Sequence, residues 1–274
     1  MSCKNVDFAY LRSIVLEESA NVLDPSRDYL FESRLKDLLI TSGLATLNRL
    51  VAALRLELDP ALRRSLAEAM TIKETSFFRD RLSFELLHDE LLPRIIRGRE
   101  STRRLRLWSA ACSSGQEAYS VAMILREHFP LLNEWQVEIT GTDISHEMVR
   151  RARSGRYAKR ELNRGLPARY RIRYMRQSGD DWEVTADLKR ICRFYPCNLC
   201  EGPLPLEKYD GILLRNVMMY FPEETRRQLL LHMHRILQAD GFLILGSGEQ
   251  PALPDLFQAE LKGSACYYRP LPTA

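Results

Sequence analysis

Along the first part of the chain, apolar residues recur every three or four positions. Phe8, Leu11, Ile14 and Val15 form one stripe; Tyr29, Leu30, Leu35, Leu38 and Leu39 form another. Asp28 and Ser26 stand where helix caps are expected, and Gly43 where a helix stops. Leu47, Leu50, Val51 and Leu54 continue the pattern until Pro60 breaks it, and Leu62, Leu66 and Met70 begin it again. Residues 1–75 therefore read as an all-helical N-terminal domain. From Phe84 onward, short apolar runs alternate with helical stretches, which predicts a parallel sheet covered by helices. The expected strands are Arg106–Ala110, Glu138–Thr142, Gly211–Arg215 and Phe242–Gly246, with a helix over Ser145–Ser154 capped by Ser145. Residues 76–274 thus read as an α/β domain. Within it, residues 170–196 break the alternation. RIRYMRQ and WEVTADL flank SGDD, a hairpin signal, and ICRFYP offers a third strand, so the segment reads as a small antiparallel β insertion.

Composition changes this picture little. The 274 residues carry a net charge of +4, ordinary for a globular chain. No apolar run approaches membrane-spanning length and no signal peptide opens the chain, so a cytoplasmic protein is expected. Six scattered cysteines do not make a disulfide framework in a chain this long. Cys197 and Cys200 form a single CxxC, and a metal site needs a second pair. His232 and His234 lie two apart on a helix and cannot share a metal. His88, His128 and His146 read as surface or helix-end residues. Charge is unevenly spread, however. Between Arg150 and Arg176 there are ten arginines and Lys159 against the single Glu161, and a second basic cluster runs from Arg94 to Arg106. Each arginine alone reads as solvated surface; together they suit an acidic partner.

The chemistry concentrates in LRLWSAACSSGQEAYSVAM, residues 105–123. An apolar strand leads into a turn of small residues and then a helix, whose free N–H groups point back toward any ligand. The next strand, in VEITGTDIS, ends on Asp143, placed to accept hydrogen bonds from ribose hydroxyls. The turn holds one glycine, Gly115, which disfavours a nicotinamide dinucleotide, and no P-loop lysine follows. S-adenosylmethionine fits better. It carries adenosine but no phosphate, and its amino group suits a carboxylate such as Glu117 at the helix start.

The chain resembles the chemoreceptor glutamate methyltransferase family, CheR. The resemblance rests on KETSFFRD (73–80), LWSAACSSGQEAYSVAM (107–123), GTDIS (141–145), PCNLCEG (196–202), LLRNVMMYF (213–221) and LQADGFLILGSGE (237–249). It implies a Rossmann-like S-adenosylmethionine-dependent methyltransferase domain with a small antiparallel β insertion, preceded by an all-helical domain. It also implies that Lys73, Thr75 and Arg79 reach the cofactor, that Glu117 meets its amino group and Asp143 its ribose, and that Asn198 and Leu199 flank the adenine. Ala110 and Met148 join the cofactor's surroundings. Arg215 and Asn216 lie near the methyl group, and Arg79, Arg215 and Tyr220 serve the reaction, Tyr220 beside the incoming carboxylate. Lys73, Gln116 and Ala118 depart from the family's usual asparagine, glutamate and proline, and GSGE replaces a GHSE-like ending.

The implied reaction makes modest demands. A glutamate carboxylate is already ionised at neutral pH and needs no general base, only alignment and exclusion of water. The implied partner is an acidic, helical methyl-accepting chemoreceptor docked on the arginine-rich face 150–176. A nucleic-acid methyltransferase is the rival reading. It wants an Asp/Asn-Pro-Pro-aromatic motif after the fourth strand, where this chain has Arg215, Asn216, Val217 and Met218. A silent cofactor-binding protein of the same family is the third.

Overall fold

The computed structural model describes residues 6–56, 59–201, 207–251 and 253–272. The chain divides into two compact units. One holds the chain up to Ile72 and the short stretch Tyr220–Arg226; the other holds Lys73–Met219 and Arg227 onward.

The first unit is helical: α1 (Phe8–Ser19), α2 (Tyr29–Arg34), α3 (Lys36–Thr41), α4 (Leu47–Arg55) and α5 (Pro60–Met70). Leu11, Ile14, Phe31, Leu35, Leu50, Leu54 and Leu66 form its buried core. Asp7 caps α1 by accepting the Tyr10 N–H at 3.0 Å. Pro60 opens α5, where a missing N–H costs nothing, and the Asp59 carboxylate caps that helix. The expected caps at Asp28 and Ser26 are not formed. Asp28 is itself helical, and Asp24 makes the capping bond, accepting the Ser26 N–H at 2.8 Å.

The second unit begins with α6 (Arg81–Leu86), a π turn over Leu87–Leu91, and α7 (Leu92–Gly98). There follow β1 (Arg104–Ala110), α8 (Gln116–His128), β2 (Gln136–Asp143), α9 (His146–Ser154), β3 (Arg156–Ala158), α10 (Lys159–Asn163), α11 (Ala168–Tyr174), β4 (Met175–Ser178), β5 (Asp181–Val184), α12 (Ala186–Ile191), β6 (Cys192–Pro196) and β7 (Tyr209–Leu214). The chain then passes into α13 (Glu223–Ile236), β8 (Leu237–Leu245), β9 (Phe257–Lys262) and β10 (Ala265–Pro270). Seven strands form one sheet in the order β6-β2-β1-β7-β8-β10-β9, parallel except for β10, which runs antiparallel to both its neighbours. β7 is wholly buried, and β1 and the second half of β8 nearly so, as expected of a sheet covered on both faces.

A second sheet, β3-β5-β4, is antiparallel. The expected hairpin is β4–β5, with Ser178 opposite Asp181. Two expectations fail here. Residues 170–174 are the end of α11 rather than strand, and the third strand is β3, outside residues 170–196, whose Tyr157 pairs with Trp182. The ICRFYP segment instead becomes β6 of the large sheet, in register with β2 from Ile139–Cys192 to Asp143–Pro196. A helix, α12, precedes it, and a strand that follows a helix adds in parallel. Cys192 and Phe194 point into the core.

The topology fixes where a ligand can sit. From β1 the chain steps to β2 on one side and later to β7 on the other. The carboxyl ends of β1 and β7 therefore part at a switch point, the usual crevice of an open α/β sheet. Ala110 lies level with Thr142 and Leu214, so the segments leaving β1, β2 and β7 all emerge at that edge.

Candidate functional site

Two clusters of polar groups stand at this edge. The first is centred on Arg215, immediately after β7. Its side chain is only 2% exposed. One terminal nitrogen donates to Glu117 Oε2 at 2.8 Å, the other to Asp80 Oδ2 at 2.8 Å and to the Arg79 carbonyl at 2.7 Å. The Phe84 ring lies 5.4 Å from the guanidinium carbon, and Arg215 Nε makes no hydrogen bond. Ser109, one residue before the end of β1, donates to Glu117 Oε1 at 2.7 Å. The segment 74–80, the exit of β1, the first turn of α8 and the exit of β7 are thus tied through one guanidinium and one carboxylate. Charge-assisted bonds of this kind are the strong ones.

The second cluster surrounds Asp143 at the end of β2. Asp143 Oδ2 accepts the Ser113 N–H at 2.8 Å and Oδ1 accepts the Ser145 N–H at 2.9 Å. The Ser113 hydroxyl donates to the Lys73 carbonyl at 2.8 Å. Ser145 caps α9 through Met148 N–H, which places buried Met148 directly beneath. The Lys73 ammonium pairs with Glu147 at 2.9 Å, and this bond holds the Glu147 carboxyl below its ordinary range. The departure at Lys73 is therefore met by a local carboxylate. The Cys197 N–H extends the β2–β6 ladder to the Asp143 carbonyl at 2.9 Å, bringing Asn198 and buried Leu199 to the same edge. Asn198 Oδ1 accepts the Cys200 N–H at 3.1 Å.

Some expected residues stand apart from these bonds. The Arg79 side chain folds onto its own segment, donating to the Glu74 carbonyl at 3.0 Å; only its carbonyl joins the Arg215 cluster. Thr75 is half-buried between Lys73 and Arg79. Tyr220 belongs to the helical unit, where its carbonyl accepts the Val22 N–H at 2.8 Å.

Glu249 was not expected as a site residue. It is buried, and its carboxylate accepts four backbone N–H groups: Asn216 at 2.7 Å, Gly246 at 2.8 Å, Val217 at 3.0 Å and Met219 at 3.3 Å. It thus pins the loop that leaves β7 and holds Asn216 in the left-handed region at φ 60°. The GSGE motif was the available signal, but its target lies 33 residues earlier in the chain.

The turn after β1 is small-residued for packing as much as for approach. Gly115 has φ +90°, and a Cβ there would lie 2.8 Å from the Ala152 Cβ in α9. The cysteines nearby are inert: burial raises the Cys112 thiol well above its normal range, and pushes Cys200 up to about 12.

These donors and acceptors fit a nucleoside with an amino acid tail. A carboxylate oxygen accepts more than one hydrogen bond, so Glu117, with one bond on each oxygen, keeps capacity for ammonium donors. The fold and this donor set define a Rossmann-like, S-adenosylmethionine-dependent methyltransferase. Comparison with known proteins agrees. Residues 73–262 match the family model described as CheR methyltransferase, SAM binding domain. The chain is 36% identical over 275 residues to chemotaxis protein methyltransferase 1 of Pseudomonas aeruginosa, covering 98% of this chain and 99% of the relative. It is 35% identical over 264 residues to chemotaxis protein methyltransferase Cher2 of Pseudomonas putida, covering 94% and 95%. It is 38% identical over 242 residues to a chemotaxis protein methyltransferase of Vibrio parahaemolyticus, covering 86% of each. The chain belongs to the CheR family of chemotaxis methyltransferases. Among the described residues, no helix is long and apolar enough to cross a membrane.

Proposed function

We propose that this protein transfers a methyl group from S-adenosylmethionine to glutamate side chains of chemoreceptors, leaving glutamyl methyl esters and S-adenosylhomocysteine. The observation that supports it most is the pair of carboxylates at one sheet edge, Asp143 closing β2 and Glu117 opening α8, in a chain of this family. The bound cofactor supplies an electrophilic methyl on a sulfonium. The protein supplies position. Asp143, fixed by two backbone N–H groups, accepts from the ribose hydroxyls; Glu117, fixed by Ser109 and Arg215, accepts from the amino group. Asn198 and Leu199 border the adenine, with Met148 and Ala110 closing the crevice floor.

In this reading Arg215 is a positioning residue. Its terminal nitrogens are committed to Glu117, Asp80 and the Arg79 carbonyl, which keeps it from clamping and blunting an incoming carboxylate. The Arg79 side chain, which among the described residues bonds a carbonyl of its own segment, supplies a guanidinium that can turn toward that anion.

The partner is an acidic face of the receptor, met by the arginines of 150–176. Arg151, Arg156, Arg164 and Arg173 already pair with Glu161, Asp181, Glu74 and Glu127. Arg150, Arg160, Arg169, Arg171 and Arg176 have no carboxylate within ion-pair distance among the described residues, leaving a positive surface to steer association. Incubation with labelled S-adenosylmethionine, receptor-containing membranes and separate nucleic acid tests the proposal. Base-labile label in the receptor is expected, falling as salt rises; base-stable label in nucleic acid, or none anywhere, would refute it.

A further inference from the structure

Beside the Phe78–Asp80 segment lies a cavity of about 570 Å³, the size of a small-molecule pocket. Its apolar wall is aromatic. Phe78 stacks on Tyr170 with ring centroids 4.8 Å apart and meets Phe84 at 5.2 Å. The π turn over Leu87–Leu91, next to Pro93 with its missing N–H, carries His88 to the wall, and the last turn of α8 carries His128. The two imidazoles, read from the sequence as separate surface residues, meet edge to face at 4.2 Å.

One cation at the cavity has no acidic partner among the described residues. Arg81 pairs with Glu85, His88 with Asp89, and Glu127 with Arg173 while accepting from the Tyr174 hydroxyl. Arg169 is left over. Its guanidinium lies over the Tyr170 ring at 4.8 Å and donates to the Tyr170 hydroxyl at 3.3 Å, with no carboxylate in reach among the described residues. His128 Nε2 touches the same hydroxyl at 3.1 Å. An exposed cation and an ionisable imidazole therefore converge over an aromatic floor.

We propose that this cavity binds a small planar anion, an aromatic ring bearing a carboxylate, sulfonate or phosphate group. The ring lies against Phe78, Phe84 and Tyr170, and the anionic group meets Arg169 and His128. Burial, then His88 and Arg169, hold the His128 imidazole below its ordinary range, so it is neutral at physiological pH. An anion beside it favours proton uptake, and binding tightens as pH falls. The site is separate from the cofactor crevice but shares its wall, since Phe84 packs on Arg215 from the other side.

Calorimetric titration of the full chain with 2-naphthoate, with and without saturating S-adenosylmethionine, tests this. One saturable site is expected, unaffected by the cofactor and about fivefold tighter at about pH 6 than at about pH 8. Arg169→Gln, at an exposed position, should weaken it about tenfold. His128→Phe should keep binding but flatten its pH dependence. Absence of saturable binding, displacement of the probe by S-adenosylmethionine, or unchanged affinity in Arg169→Gln would overturn the proposal.

Discussion

Strand β7 carries a buried charged cluster at each end, and the two are built differently. At its start, buried Asp210 accepts Arg99 Nε at 2.6 Å and the Arg106 N–H at 2.8 Å, and Arg99 forks onto Asp240 at 2.6 and 2.9 Å. The partners there are the cluster's own side chains and the backbone of β1. Just past its end, Arg215 also binds two acids, but those acids belong to segments that leave the sheet toward solvent: Glu117 on the first turn of α8 and Asp80 ahead of α6. The first cluster closes the sheet's base. The second joins the segment before α6, the start of α8 and the exit of β7 around the crevice. Under the proposed function, similar arginine–acid networks serve stability at one edge and assembly of a site at the other. The same contrast separates the two basic stretches in the sequence. In the run Arg94–Arg106, Arg99 and Arg106 are neutralised by Asp210, Asp240 and Glu207, whereas six of the ten arginines in 150–176 pair with no carboxylate among the described residues.

Substitutions separate the two ends. Arg215→Met should cut methyl transfer about a hundredfold, because Glu117 and Asp80 lose their shared donor; single-turnover transfer with a circular-dichroism melt as control measures it. Asp210→Asn should instead cost about 2 kcal/mol of folding stability, read by urea unfolding, while the folded protein keeps its rate. If Asp210→Asn lowered the rate as much as Arg215→Met, the distinction between the ends would collapse. Glu249→Gln should lower kcat about tenfold with little change in cofactor affinity, since the loop after β7 loosens while Asp143 and Glu117 stay put. The smallest effect is at Asp240. The Arg99 guanidinium holds its carboxyl below the ordinary aspartate range, so it favours the folded state at neutral pH and gives that up as pH falls through the lowered range. Asp240 is 55% exposed, so Asp240→Asn should reduce the acid-side loss by under about 1 kcal/mol in pH-dependent unfolding.

Much of this layout was legible because it is local. Asp143 ending a strand, Ser145 capping the next helix and a small-residue turn before Glu117 are short-range patterns, and each lies where the pattern places it. What escaped depends on distant chain. Residues 192–196 alternate like a hairpin strand, and nothing nearby says that β2, some fifty residues upstream, is their partner. Glu249 looks like an ordinary loop acid until the β7 exit is laid beside it. His88 and His128, forty positions apart, meet only because the π turn after α6 comes against the last turn of α8. Arg215 was expected near the methyl group; that it is held by two acids depends on the segment before α6 folding back.

Among the described residues, seven other than glycine have positive φ, and five of them lie in the segments around this crevice: Phe78 (49°), Asp80 (57°), Ala111 (59°), Ser113 (49°) and Asn216 (60°). Side chains in that region cost about 1–2 kcal/mol each, so the rim is a loaded spring held shut by its bonds. Selection for heat resistance alone would relax it, for glycine at Ala111 or Ser113 removes the steric penalty. A thermostable descendant obtained that way would trade away a stiff mouth, and with it the reproducible docking that repeated turnover requires.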